Sequence, residues 1–435
     1  MANDNKYIPA LRFPEFQNDG EWGLASVGIY YKVQGGFAFK SGEFKDSGIP
    51  IVRISNIPND GNYVDTNNCV YYDRIPNEKN FLIAKGDLLI AMSGATTGKT
   101  AVYNKDNEAY LNQRVGLFKS TNSQNYYPFI CQWVKTELFQ NQLKRTLAAG
   151  AQPNISSKDI ESFTLIYPTS DNSSNEQKKI ADCLSSLDSY IDATKRKLEQ
   201  LKEYKKCLMQ RLFPAEGKTV PELRFHEFME KEWEIDKFSN VFTCIPNNTL
   251  SRADLNYSGG RVKNIHYGDI LTRFRECLDV RRSRLPFISE NNDVERYFMS
   301  LLKNGDLIIA DTAEDEIVGK CAELQGISDE FVVAGLHTIA IRPNNKFANC
   351  YLAFYMNSSA YRKQLTPLMQ GVKVLSISRS AISKTEIYFP SSILEQEKIA
   401  KCLDSLENLI ESYERKIEVL NIQKKGLMQK LFPRL

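Results

Sequence analysis

The chain repeats itself. Of its 435 residues, the stretch from Asn175 to Pro214 matches that from Leu394 to Pro433 at 22 of 40 positions without a gap. The earlier parts of the two halves carry shorter echoes in the same order. P-A-L-R-F-P-E-F at 9–16 returns as P-E-L-R-F-H-E-F at 221–228, and Trp22 as Trp233. K-G-D-L-L-I-A at 85–91 returns as N-G-D-L-I-I-A at 304–310, and Gly98-Lys99 as Gly319-Lys320. Gly150 and the I-Y-P ending at Pro168 return as Gly371 and the I-Y-F-P ending at Pro390. A long period in two copies is a duplication of half the chain and excludes a solenoid of short repeats. Whatever the fold, it is built twice.

Each half divides into a variable head and a matched tail. The heads carry short apolar runs rich in Val, Ile, Tyr and Phe, broken by Gly, Asn and Pro, such as 49–57, 87–94, 115–120, 306–311 and 337–343. Runs of this kind are predicted strands. Helix-like stretches sit at matching places, 127–147 and 350–368. The tails carry apolar residues alternating by four and three: Ile180, Leu184, Leu187, Ile191, and onward to Leu212, then Ile399, Leu403, Leu406, Ile410, and onward to Leu431. That is a sustained heptad and predicts a coiled coil. Ser173 with Glu176, and Ser392 with Glu395, have capping-box spacing. Each tail closes on Phe-Pro, where a helix cannot continue. A charged residue interrupts the seam at the same place in both, Lys205 and Lys424, which fits a register-fixing role. The expected fold is α+β: two strand-rich α/β heads, 1–174 and 214–393, joined by two long helices, 175–213 and 394–435. The helices are expected to form an antiparallel coiled coil that relates the halves by a pseudo-twofold axis. A helix of about 38 residues is roughly 55–60 Å long at 1.5 Å rise per residue, so the pair would act as a ruler between the heads.

Composition narrows the chemistry. Nine Cys, an odd number with no C-x-x-C pair, predict reduced thiols and argue against a disulfide framework or a clustered zinc site. No apolar run is long enough for a membrane span, and the N-terminus has no secretory pattern, so a cytoplasmic location is expected. Three His leave little for histidine-based catalysis. S-G-A-T-T-G-K-T at 93–100 resembles a phosphate loop but has three residues, not four, between Gly94 and Gly98-Lys99. No methyl-donor loop, amino-methylation motif or complete metal-nuclease motif is present. The chain is expected to bind no metal or cofactor and to make or break no covalent bond.

The net charge of +3 allows only local contact with nucleic acid. Five Arg fall within 272–284, whereas the corresponding 60–76 is acidic to neutral and rich in Tyr and Asn. Two heads of one build with different loop chemistry suit two different DNA sequences, since Arg and Lys suit guanine edges and Asn and Gln adenine edges. The candidate DNA-binding residues are Lys40, Arg53, Asn56, Lys99, Gln113, Arg114 and Gln152 in the first half. In the second they are Arg261, Lys263, His266, Arg281, Arg282, Lys320, His337 and Lys373. Two rival readings are a coiled-coil scaffold whose heads bind proteins, and a stand-alone DNA nuclease or methyltransferase.

In the order of its parts, the chain resembles the specificity subunit of type I restriction–modification systems. The resemblance rests on L-R-F-x-x-F followed by Trp, the G-D-L strand with a later Gly-Lys, and the E-Q-x-K-I-A-x-C-L tail ending L-M-Q-(K/R)-L-F-P, all present twice. It implies two target-recognition domains, each recognising one part of a bipartite, asymmetric site in double-stranded DNA. It also implies helices that space the domains and dock two methyltransferase subunits, with a restriction/translocase subunit as a further partner. S-adenosylmethionine, ATP and Mg are then expected on those partner subunits.

Overall fold

The computed structural model describes residues 7–59, 61–76, 78–123, 125–148, 153–289 and 294–433. It resolves into two compact units: residues 1–195 with 415–435, and residues 196–414. The long helices run Ser173–Arg211 and Ile393–Leu431. Each unit therefore takes the start of one helix and the end of the other, together with one head.

In the first unit, strands Tyr31–Gly35, Val115–Ser120, Leu88–Ala91 and Thr100–Val102 form one sheet in that order. Val70–Tyr72, Ile49–Val52, Ala109–Leu111 and Leu82–Ile83 form a second. A separate antiparallel pair, Trp22–Ser26 with Thr164–Pro168, leads into the helix. The second unit repeats the plan. Its first sheet gains a strand: Phe242–Ile245, Thr338–Pro343, Leu307–Ala310, Cys321–Gln325, Cys277–Asp279. Its second sheet runs Leu255–Asn256, Phe287–Ile288, Val262–Ile265, Phe331–Ala334. Trp233–Lys237 pairs with Glu386–Pro390. The α+β expectation holds in both units.

The repeated sequence motifs form the joint between head and helices. Arg12, from L-R-F, makes a bidentate bond to Glu176, with both oxygens at 2.7 Å. Arg224 does the same to Glu395 at 2.7 and 2.8 Å. All four side chains are almost wholly buried. The expected capping boxes are therefore not made, because each Glu carboxylate faces an arginine brought from another segment. Ser173 instead donates to the Pro168 carbonyl at 2.6 Å. The neighbouring Gln177 and Gln396 accept from the backbone of the head, at Tyr126 N and Ala348 N. The same L-R-F segment covers the end of the other long helix: Leu11 N donates to Lys430 O, and Leu223 N to Arg211 O. Phe432 and Phe213 of the Phe-Pro ends are buried, against Trp22 and Phe129 in one unit and Tyr351 and Tyr355 in the other.

The seam is antiparallel within each unit. Asp188 and Tyr190 meet Lys424 and Lys416 in the first, and Lys205 and Lys202 meet Glu407 and Glu414 in the second. The repeated Gly-Lys has a packing reason. Gly98 and Gly319 hold φ of +81° and +85°. A Cβ on either would lie within 3 Å of Leu143 or Leu365, on the matching head helices.

One expectation about cysteine fails. Cys277 and Cys350, 73 residues apart in sequence, form a disulfide with Cα atoms 5.6 Å apart. Parallel pairing of Cys277–Asp279 with Cys321–Gln325 brings the first cysteine beside the helix that starts after the second. Spacing in sequence carries no trace of that contact.

Candidate nucleic-acid interface

In each unit the two sheets end on a shared set of loops. In the first, Asn112 N bonds Val52 O, Met92 N bonds Arg114 O and Ile155 N bonds Met92 O. In the second, Gly335 N bonds Ile265 O, Asp311 N bonds His337 O and Ile377 N bonds Asp311 O. These three bonds gather the loops at 53–56, 92–97, 112–114 and 153–155 in one head. They gather those at 266–269, 311–313, 335–337 and 375–379 in the other.

Arg53, Gln113 and Arg114 meet at this end of the first unit. Gln113 and Arg114 are exposed. Arg53 is half-buried, its guanidinium 5.9 Å from the centre of the Phe44 ring. Lys40 stands exposed at the start of the Phe44 loop, 3.2 Å from Glu43. Lys99 is exposed beside Gly98, at the start of the Thr100–Val102 strand. Asn56 is different. It is buried, accepts from Arg53 N at 3.0 Å and donates to Asp65 O at 2.9 Å, so it shapes the loop from inside. Gln152 lies outside the described residues.

The second unit sorts its candidates by end. His337 is exposed in the Gly335–His337 turn, its Nδ1 3.4 Å from Asp311 and 3.3 Å from the Thr312 hydroxyl. Lys373 is exposed on the turn of a ribbon whose second strand, Leu375–Ser376, pairs with Thr312–Ala313. His266 is buried below them. It caps the helix Tyr267–Thr272 by accepting from Gly268 N, and burial first, then Arg252, holds its imidazole below the usual histidine range. Lys320 is turned inward to the Leu271 carbonyl at 3.1 Å, and burial pushes its ammonium down. Lys263 lies mid-strand, 3.6 Å from Glu330. Arg261 precedes that strand, Val262–Ile265, at the end opposite His266. Arg281 and Arg282 follow Cys277–Asp279, at the end of the first sheet opposite Asp311, as the register Leu307↔Glu323, Ala310↔Thr338 and Asp279↔Gln325 requires. So His337 and Lys373 come together, whereas Arg261, Lys263, Arg281 and Arg282 do not join them.

The arginine-rich stretch 272–284 is not one basic stripe. Arg273 binds Asp269 at 3.2 Å, Arg275 pairs with Glu411 of the long helix, and Arg284 lies over the Tyr257 ring. Arg379 was not legible as a site residue. It donates to Asn247 at 2.6 Å beside the His337 turn, and nothing in its local sequence marks it. The seam charges were half legible. Both lysines were found, but not their partners: Glu276 and Glu407 on Lys205, and Asp188 shared by Lys424 and Lys135. Matched acids at Asp188 and Glu407 were the available signal.

Among the described residues, no cluster of three or more His, Cys, Asp or Glu is placed to hold a metal ion, and no helix is long and apolar enough to cross a membrane. The arrangement offers exposed donors on loop ends, which is binding chemistry. Comparison with known proteins agrees. The family model of the type I restriction modification DNA specificity domain matches residues 24–203 and again 230–421. The EcoKI specificity subunit of a type I restriction enzyme from Escherichia coli K12 is 24% identical over 422 residues, covering 91% of this chain and 84% of that protein. The MjaVIII specificity subunit from Methanocaldococcus jannaschii is 24% identical over 196 residues, 44% of this chain and 45% of that protein, so the match spans about half of that relative. In fold, the chain is similar to the S subunit of the type I restriction–modification system of M. genitalium, with TM-score 0.59 over 98% of this chain and 99% of that one, at 14% identity. A match over both halves, on a head-to-helix joint built twice, makes this chain a member of the type I restriction–modification DNA specificity family, the non-catalytic subunit that recognises DNA sequence.

Proposed function

We propose that each unit reads one part of a bipartite, asymmetric site in double-stranded DNA, and that the long helices set the gap between the parts and dock two methyltransferase subunits. The observation that carries this reading is a joint with the same buried arginine–glutamate pair under two heads whose loop ends differ in chemistry: Arg53, Gln113 and Arg114 in one, His337 and Lys373 in the other. Loops that differ on one scaffold read different bases, while the scaffold keeps the register. Docking is supported by the outer helix faces, where exposed Lys195, Arg196, Lys197 and Lys206 lie among exposed apolar residues such as Tyr204 and Leu409. In this scheme S-adenosylmethionine, ATP and Mg belong to the partner subunits, a restriction/translocase subunit can join them, and the assembly works in the cytoplasm.

The test is a single-molecule methylation map of host DNA with and without the gene for this chain. Loss of one bipartite motif is the expected result and gives both half-sites. Replacing one head, residues 7–172 or 225–390, by that of a relative should then change one half-site alone. A change in both half-sites, or in neither, would overturn the assignment of one head to each part.

A further inference from the structure

Arg114 and His337 hold the same place in the two units. Each ends the turn that leads into the matching strand, Val115–Ser120 or Thr338–Pro343. Each gives its carbonyl to the residue after the G-D-L strand: Met92 N at 2.9 Å from Arg114 O, Asp311 N at 3.1 Å from His337 O. Both of those residues in turn accept from a third loop, from Ile155 N at 2.9 Å and Ile377 N at 2.8 Å. Both turns start on a bond across the parallel strand pair, Asn112 N to Val52 O at 3.1 Å and Gly335 N to Ile265 O at 2.8 Å. The backbone is thus held on three sides in the same way, while the two residues differ in the side chain presented and in φ, which is positive at His337 and not at Arg114.

His337 is held there at φ +54°, in the left-handed region that non-glycine residues seldom occupy. Backbone of this kind persists where surrounding structure holds it, and it concentrates at functional sites. The imidazole stands edge-on to Tyr267, ring centres 5.2 Å apart. Asp311, itself bonded to the Thr312 hydroxyl at 2.8 Å, takes the Nδ1 side. Thr312 gives its proton to Asp311, and its oxygen lies 3.3 Å from Nδ1, which favours the tautomer protonated at Nδ1; in that tautomer Nε2 is an acceptor. In the major groove an acceptor suits the exocyclic amine of adenine or cytosine. Arg114 presents the opposite chemistry, a fork of donors that suits O6 and N7 of guanine. Beside His337 the two-stranded ribbon at 370–376 has the width a major groove admits, and its turn carries Lys373, with Val372 exposed next to it.

We propose that Arg114 and His337 are one specificity-determining position, present twice: Arg114 reads a guanine in one half-site, and His337, oriented by Asp311, reads an amine-bearing base in the other. This rests on the proposed reading of one half-site by each unit.

The test uses this chain assembled with the methyltransferase subunits of its own system, a randomised duplex library and S-adenosylmethionine, with the methylated sequences read out. Arg114→Gln should lose at least tenfold of the guanine preference at one base pair, with a shift toward adenine, and leave the other half-site unchanged. His337→Ala should relax one base pair of the other half-site by a similar factor, and Asp311→Asn should relax that same base pair. Arg114→Lys and His337→Gln, with thermal unfolding of each variant, keep the test valid if a first variant folds poorly. Uniform weakening across the library with no base position altered would make both side chains phosphate contacts and overturn the proposal. A wild-type complex that methylates no fixed bipartite motif would instead remove the reading on which the proposal rests.

Discussion

At Glu323 burial and hydrogen bonding pull in opposite directions. The residue is almost wholly enclosed in the Cys321–Gln325 strand. It accepts from Cys350 N at 2.6 Å and from the Gln325 amide at 2.8 Å. Loss of water outweighs both bonds, and the carboxyl is pushed up to about 7. An acid whose pKa is raised on folding stabilises the folded state while both states hold the proton. That stability is lost as pH climbs from the unfolded value, about 4.3, through the folded one. At about 1.4 kcal/mol per unit, the loss is on the order of 4 kcal/mol and complete by about pH 8. His266, held low, works the other way below its unfolded pKa near 6.5, so the informative quantity is a difference between proteins. Urea unfolding at pH 5.5 and 8 should show Glu323→Gln gaining on wild type as pH rises. Equal changes in both proteins would mean that this carboxyl does not govern the pH dependence. Nothing local in C-A-E-L-Q marks a buried acid, because the strand is covered on both faces only once the head has packed.

The two seam lysines occupy matched positions and have unlike surroundings. Lys205 faces two carboxylates, Glu276 at 2.9 Å and Glu407, and they overcome its burial and raise its pKa. Lys424 shares one carboxylate, Asp188, with Lys135; burial and then repulsion from Lys135 lower its pKa. Asp188, between two ammonium groups, is held below the usual carboxylate range despite its burial. Removing one partner of a buried ion pair costs about 3–5 kcal/mol when a charge is left uncompensated. Lys205→Met leaves Glu276 without its ammonium and Glu407 with Arg275 alone, at 3.7 Å, so its cost should approach that figure. Lys424→Met leaves the Asp188–Lys135 pair intact and ends a repulsion, so its cost should stay within ~1 kcal/mol. Urea denaturation of the two variants measures the contrast, and equal losses would sink this account of the seam. The heptad and its lysines were legible because 3.5-residue periodicity is local. The acids that meet them come from the facing helix and from the heads, and no period within one tail reports a facing partner. The Glu at each helix start was misread for the same reason. Its spacing to Ser fits a cap, but an arginine from the L-R-F segment, over 160 residues away in sequence, claims the carboxylate.

For the whole molecule, the duplication made the architecture legible before any element was placed, since two heads and two matched tails leave few ways to close. The loop ends were less legible. Asn56, His266 and Lys320 have the right chemistry for DNA but point inward, and whether a loop side chain faces in or out is decided by packing that the sequence does not display. On the proposal that the helices set the gap between half-sites, their length is open to direct test. One heptad inserted in each helix, after Lys197 and after Lys416, keeps the apolar seam in phase and adds about 10 Å at 1.5 Å per residue. That distance is roughly 3 base pairs, at ~34 Å per turn of about 10. The two polymers then disagree in rotation. A heptad turns the helical seam by only about 20°, whereas 3 base pairs turn the duplex by roughly 100°. The lengthened protein should keep both half-sites, widen the gap by about 3 base pairs, and methylate slowly because the second half-site faces the wrong way. Three inserted heptads add about 31 Å, close to one full turn of DNA. They should restore much of the rate, with a gap longer by 9 or 10 base pairs. Sequencing the methylated products of a random library distinguishes the outcomes, and a gap that stays fixed in both constructions would show that something other than the helices measures it.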